Sequence, residues 1–233
     1  MNKFFLKNDT VIIRFNIPYV CGIYSEVCHT GDFQYKQCSK IDVNKIVGFY
    51  KRNQYGIFLT PDEVLREFEK GNSFHAIFHY DEIVAGLWIH QGIVDIPAPS
   101  FEAFKLKHSH FVKFNDGVVY SSHNLVDVDF RGRHLYSMLL LNTLYNYEKK
   151  RKTTYIFITG SNNYKMIESS LKYMGQIIGY VRTIRVCKYL WIRKRIIDLG
   201  GGTGRVFLPS KKVSSIIFAI KNSLEARMIA HAV

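Results

Sequence analysis

The stretch Leu125-Val-Asp-Val-Asp-Phe-Arg-Gly-Arg-His-Leu-Tyr-Ser-Met-Leu-Leu140 decides the reading of this chain. A strand-like run ends, a short basic turn containing Gly132 follows, and apolar residues at helical spacing begin at once, from Leu135 to Lys149. At such a step, backbone N–H groups without helical partners and the positive end of the helix dipole converge. Arg131 and Arg133 add two cations beside them, so the segment reads as an anion cradle.

The flanks extend the pattern. Upstream, Gly117–Val128 alternates as a strand, and His75–His79 and Ile83–His90 read as two strands joined by a tight turn at Tyr80, Asp81 and Glu82. Downstream, Thr154–Thr159 is a β-branched and aromatic strand, Asn163–Tyr173 a helix stopped by Gly175, and residues 177–192 are strand-like again. Residues 93–117, with Pro97, Pro99 and Gly117, read as irregular apart from a short helix around Phe101–Lys107. From residue 74 onward the order is strand, strand, irregular stretch, strand, helix, strand, helix, strand, which indicates an α/β domain. Earlier in the chain Val11–Phe15 is strand-like. Thr60 and Glu63 form a capping box around Pro61, opening a helix that carries Leu65 and Phe68 and ends at Gly71.

The Val126 strand running into Arg131-Gly132-Arg133-His134 resembles motif A of the GNAT (Gcn5-related N-acetyltransferase) superfamily, in which a valine-containing strand enters an Arg-Gly-x-Gly turn. A second element agrees in order and spacing: after the strand Thr154–Thr159 come Ser161-Asn162-Asn163, a helix and Gly175. The hairpin His75–His90, with Gly86 inside an apolar strand, looks like the family's second and third strands. The resemblance implies a mixed α+β acyltransferase fold, with a central mixed, largely antiparallel sheet flanked by helices. Residues 1–73 would form its N-terminal, acceptor-side part, 74–192 the core with the coenzyme site, and 193–233 a Gly-rich connector and C-terminal helix.

The resemblance further implies acetyl-CoA, or another acyl-CoA, as cofactor. Leu125 and Val126 fall on the strand that hydrogen-bonds the pantetheine arm. Arg131, Gly132, Arg133, His134, Leu135 and Tyr136 fall on the turn that wraps the pyrophosphate, and Asn163 on the coenzyme side of the splay between two central strands. Two positions depart from the family: it usually has Gly or Ala at the place of His134, and Gln or Arg at that of Asp129. The imidazole would narrow the turn or point outward as a donor. Asp129 would repel a pyrophosphate unless turned away or paired.

Direct attack of an amine on a thioester needs a base for the amine proton and an acid for the leaving thiolate. The family's usual acid is a Tyr four residues before the Gly that ends the last helix. That position is Leu171 here, which leaves Tyr173, or Tyr164, as a substitute. Candidate bases on the strand are His123 and Asp127; an imidazole has a reference pKa of roughly 6.5, suited to work near neutrality. The competing reading of His123 is a packed or surface histidine. On a strand His123, Leu125 and Asp127 share one face, and Asn124 and Val126 the other. Glu102 is a further candidate, while His108 and His110 read as loop residues.

Composition sets limits on partners. Of 233 residues 47% are hydrophobic and 15% aromatic, ample for a core. The net charge of +13 calls for an acidic partner. The basic residues are scattered, with clusters at Lys149–Lys152 and Arg193–Arg195 but no RNA-binding signature, so a cofactor with several phosphates is the simplest partner. Cys21, Cys28, Cys38 and Cys187 match no zinc spacing and read as thiols in a reducing compartment. No run approaches the roughly 20 apolar residues of a membrane span, and Met1–Arg14 lacks a leader's cleavage site, so a cytoplasmic protein is expected.

One competing signal lies further on. Asp198-Leu-Gly-Gly-Gly-Thr-Gly204 matches the glycine loop that opens many S-adenosylmethionine methyltransferases. Only Ile196–Ile197 precede it as a strand, Pro209 follows closely, and the roughly 30 residues after it are too few for such a sheet, so it reads as a flexible connector. Beyond it Ser214–Ala230 forms a helix whose stripe of Ile216, Ile217, Ile220, Leu224 and Met228 suits packing on the domain or on a second copy. Lys211, Lys212 and Lys221 would also permit membrane-surface contact. The expected function is acyl transfer from coenzyme A to a primary amine of a small molecule such as an amino sugar or metabolite. The alternative is a non-catalytic basic module of the same fold that binds an anionic partner.

Overall fold

β1 (Phe5–Asn16) is the longest strand and lies within the sheet, paired with the last strand on one side and the ninth on the other. The computed structural model describes residues 5–25, 29–97, 109–160 and 163–186. Asn16 ends β1 by accepting the Tyr19 N–H, which caps α1 (Ile17–Ile23). Then follow β2 (His29–Thr30), β3 (Phe33–Gln37), α2 (Val43–Arg52) and α3 (Pro61–Glu69). The capping box expected at α3 is formed: Thr60 Oγ1 accepts the Glu63 N–H at 3.4 Å, and Glu63 Oε2 accepts the Thr60 N–H at 3.2 Å.

β4 (Ser73–His79) and β5 (Glu82–His90) make the anticipated hairpin. The stretch read as irregular instead contains a separate two-stranded sheet, β6 (Ile93–Pro97) with β7 (Ser109–Lys113). Pro97 sits at the end of that ladder, where its missing donor costs no central hydrogen bond. The remaining order is as expected: β8 (Val118–Val126), α4 (Leu135–Lys149), β9 (Thr154–Gly160), α5 (Tyr164–Lys172) and β10 (Gln176–Val186).

The main sheet runs β10-β1-β9-β8-β5-β4-β3-β2. Only the β8–β9 pair is parallel among these neighbours, so the sheet is mixed and largely antiparallel. α1 and α4 cover one face over Val11, Ile13, Phe15, Leu87 and Ile89. α2 and α3 cover the other, over Phe74, Phe78, Ile83 and Trp88. Burying each such side chain contributes about 1.5–3 kcal/mol.

Two glycines are demanded by packing. A Cβ on Gly86 would lie 2.4 Å from the Phe74 ring, and one on Gly175 would lie 2.7 Å from the Ser170 carbonyl and 2.8 Å from Phe15. α4 is apolar almost all round, and its buried Asn142 and Thr143 donate to the carbonyls of Met138 and Leu139 one turn back. No helix among the described residues is long and apolar enough to cross a membrane. Glu102, His108, the loop Asp198–Gly204 and the helix read over Ser214–Ala230 lie outside the described residues.

Candidate active site

β8 and β9 pair only over Val118–Ser121 and Thr154–Phe157. Both continue beyond: β8 stays paired with β5 as far as Val126, and β9 with β1 as far as Gly160. Past Ser121 the two strands are therefore held by their outer neighbours and not by each other, which opens a cleft in the middle of the sheet. A bulge at the same place lets His123 and Asn124 together face Leu87, between the pairs Gly86–Leu125 and Trp88–Ser122, and His123 takes φ +53°.

One lip of the cleft leads into the predicted cradle. Asp127 accepts the Asp129 N–H and caps a short 3₁₀ turn, Val128–Phe130. Gly132 then adopts φ +83° and His134 φ +58°, so the chain reverses into α4. No side chain caps the first turn of that helix, and it holds no acidic residue. Its leading N–H groups and positive dipole end are left to a ligand. Arg131 and Arg133 are exposed and, among the described residues, pair with no carboxylate; the Arg133 guanidinium rests 5.3 Å from the Phe130 ring centre. At the other lip, Asn163 precedes α5 and donates to Thr159 Oγ1 of β9 at 3.2 Å.

The two faces of the cleft differ in chemistry. On the α4 face, Ser121 donates to Asn124 Oδ1. Beside them lie the buried hydroxyls of Tyr136 (next to Ser170 and Asn124) and Tyr155 (next to Ser121), neither with a hydrogen bond of normal geometry. Burial pushes both phenols above their ordinary pKa, so they stay protonated.

On the α2 and α3 face, His123 is enclosed by the rings of Tyr55 and Phe58, and its carbonyl accepts a long bond from the Tyr50 hydroxyl. Burial lowers its imidazole to about 4, with His90 lowering it further and Glu67 opposing. Next to it Ser122 Oγ lies 2.6 Å from His90 Nε2, and His90 Nδ1 is 3.9 Å from Glu67 Oε2. Lys70 and Asn72 hold Glu67 at 2.6 and 2.7 Å. Sequence reasoning did not find Ser122, His90 or Glu67. They come from three elements, and no spacing along the chain marks them.

The other predicted residues have structural partners. Asp127 accepts from Arg52 Nε at 2.8 Å and from Asn53 Nδ2 at 3.4 Å; burial pushes its carboxyl up, but Arg52 and the Asp129 N–H outweigh this and hold it below the usual value. Leu125 packs into the α2/α3 core and Val126 into the α4 core, the alternation expected of the strand. Leu135 is buried beneath α4's first turn. Tyr173 closes α5 and packs edge-on against Tyr24, ring centres 5.1 Å apart.

No protein-family model matches the sequence, and no curated protein matches it. Solved structures do. The GCN5-related glucosamine N-acetyltransferase region of a fungal multidomain β-N-acetylglucosaminidase superposes on 75% of this chain with a TM-score of 0.50 and 10% identity, the match covering 20% of that protein. A Drosophila protein superposes on 78% of this chain, again with a TM-score of 0.50 and 10% identity, and 52% of that chain is covered. What is shared across such low identity is architecture, and that architecture is the GNAT acetyltransferase fold.

Proposed function

We propose that this chain is an acyl-CoA-dependent N-acyltransferase that moves an acyl group, acetyl in the simplest case, onto a primary amine of a small molecule. The observation that carries this reading is the cleft between β8 and β9, opening beside an uncapped helix start with two arginines that pair with no carboxylate among the described residues. Coenzyme A supplies the acyl group activated as a thioester. The residues fit such a group at the anion-ready helix terminus, where no side chain caps α4 and Arg131 and Arg133 stand exposed.

Arg131, Gly132, Arg133, His134, Leu135 and Tyr136 would hold the pyrophosphate through backbone N–H groups and the two guanidinium groups. The backbone of Leu125 and Val126 would carry the pantetheine arm, and Asn163 would bound it from the β9 side. For the leaving thiolate we assign Tyr136 as proton donor on position: its hydroxyl stands beside Asn124, past the start of the cleft, and the bound coenzyme would have to uncover it. Tyr173, the donor read from sequence, packs its ring edge-on against Tyr24 and stays the alternative.

Calorimetric titration with acetyl-CoA tests the reading. Micromolar affinity is expected. The Arg131→Ala/Arg133→Ala variant should bind at least tenfold more weakly, since each charge-assisted bond is worth about 1.5–3 kcal/mol and about 1.4 kcal/mol is tenfold. An unchanged affinity would refute the cradle. Binding without turnover across a broad amine panel would mark a non-catalytic module instead.

A further inference from the structure

We propose that Ser122 receives the proton of the attacking amine and passes its own to His90, with Glu67 as the positioning carboxylate behind the imidazole. The inference rests on the acyl-transfer reading above. Three observations carry it. Ser122 is the first residue of β8 beyond its pairing with β9, so it stands where the cleft begins. Its hydroxyl is 2.6 Å from His90 Nε2 on the α2/α3 face, opposite the Tyr136, Tyr155 and Asn124 cluster. The far nitrogen of the same imidazole faces Glu67, which Lys70 and Asn72 hold in place.

The arrangement divides the two proton transfers between the faces of the sheet. A carbonyl lying between the strands has protonated phenols on one side and a hydroxyl backed by a neutral imidazole on the other. As the amine nitrogen bonds to the carbonyl carbon and the carbon–sulfur bond breaks, the amine proton moves to Ser122 Oγ and the hydroxyl proton of Ser122 moves to His90 Nε2. The thiolate takes a proton from Tyr136. Serine is regenerated; the imidazolium, stabilised by Glu67, then releases its proton to water, and the Tyr136 phenolate takes one proton from water, so that both groups are reset.

The surroundings of His90 suit that task. Burial lowers its pKa to about 4, partly offset by Glu67 and reinforced by Lys70, so the ring is neutral at physiological pH and, as a weak base, holds the proton only transiently. The Tyr120 ring and the neutral His123 on β8 are the other titratable groups near it, and of the imidazoles it is His90 that is hydrogen-bonded to Ser122. Glu67 stays ionised because Lys70 and Asn72 outweigh the effect of burial. His90 and Glu67 retain side-chain exposures of 12% and 15%, enough to return the proton to water.

The test is steady-state kinetics on Ser122→Ala, Ser122→Thr, His90→Ala and Glu67→Gln, with the acetyl-CoA affinity of each measured by calorimetry. A positioned base contributes roughly 10²–10⁴-fold, so Ser122→Ala and His90→Ala should lose at least 100-fold in kcat with KM and coenzyme affinity within twofold of the parent. Ser122→Thr should keep most activity, and the Ser122→Ala/His90→Ala double variant should be no worse than either single one, as for groups that act as a unit. Added imidazole should restore part of the His90→Ala rate but none of that of Ser122→Ala. Glu67→Gln should lose less, about tenfold. Undiminished kcat in Ser122→Ala or His90→Ala, or an acyl group trapped covalently on Ser122, would overturn the relay. Failure of the parent protein to bind acetyl-CoA would instead overturn the acyl-transfer reading.

Discussion

His134 stands with φ +58° at the mouth of α4, two residues after Gly132 at +83°. Left-handed backbone costs a non-glycine residue on the order of 1 kcal/mol, so this chain carries strain at that turn. Replacing His134 with Gly should leave the melting temperature unchanged or raise it, since relief of strain offsets the freer unfolded chain. His134→Val should lower stability by about 1–2 kcal/mol, because a β-branched side chain tolerates that backbone least. Equal melting points for the two variants would show that the turn relaxes. At this scale the strand, turn and helix of the proposed cradle were legible in the sequence because they follow one another within a short stretch. Ser122 and His90 were not, since 32 residues separate them and only the β5–β8 register brings them together. The candidate base His123 was identified by residue type, yet its aromatic enclosure depends on a bulge that alternation alone does not foretell.

Among the elements, those with strong end signals were legible. Thr60, Pro61 and Glu63 announced α3, Gly175 the stop after α5, and the hydrophobic spacing gave Leu135–Lys149 to the residue. α2 was not foreseen: Val43, Ile46, Val47, Gly48, Phe49 and Tyr50 are weak helix formers, and the helix exists because five of these bury against Phe74 and Trp88. α1 is a single capped excursion after β1, too short to show a period. Two substitutions probe the end signals by chemical denaturation. Thr60→Ala should cost about 1 kcal/mol through loss of the cap. Gly175→Ala should cost about 1–3 kcal/mol, because the new methyl meets the Ser170 carbonyl and the Phe15 ring and the core must shift. A neutral Gly175→Ala would mean that α5 can lift away from β1.

For the molecule as a whole, acid is the expected weakness. Burial holds His75 at about 3 and both His90 and His123 at about 4, against 6.5 for an ordinary imidazole. The unfolded chain therefore takes up these protons before the folded one does. The stability they contribute is fully present above about pH 6.5 and is lost as the pH falls through about 4. Asp42 and Asp127, both held below the ordinary carboxylate value, extend the loss to lower pH. Melting curves from pH 8 to pH 4 should show a plateau above pH 7 and a steepening decline below 6.5; a flat profile would mean that these rings are open to water. The overall architecture was legible from the order of strands and helices, whereas the place of β1 beside β9 was not, because a pairing across most of the chain leaves no local mark. That architecture has a mechanical side. Among the described residues the backbone ladder between the two halves of the main sheet is four pairs wide, from Val118–Thr154 to Ser121–Phe157, and the shared helical core ties the rest together. Beyond that ladder each strand leans on its outer neighbour, β8 as far as Val126 and β9 as far as Gly160. Any ligand that enters between Val126 and Gly160 would thus meet two strands whose spacing is set by apolar clasp residues such as Val119, which stand away from it.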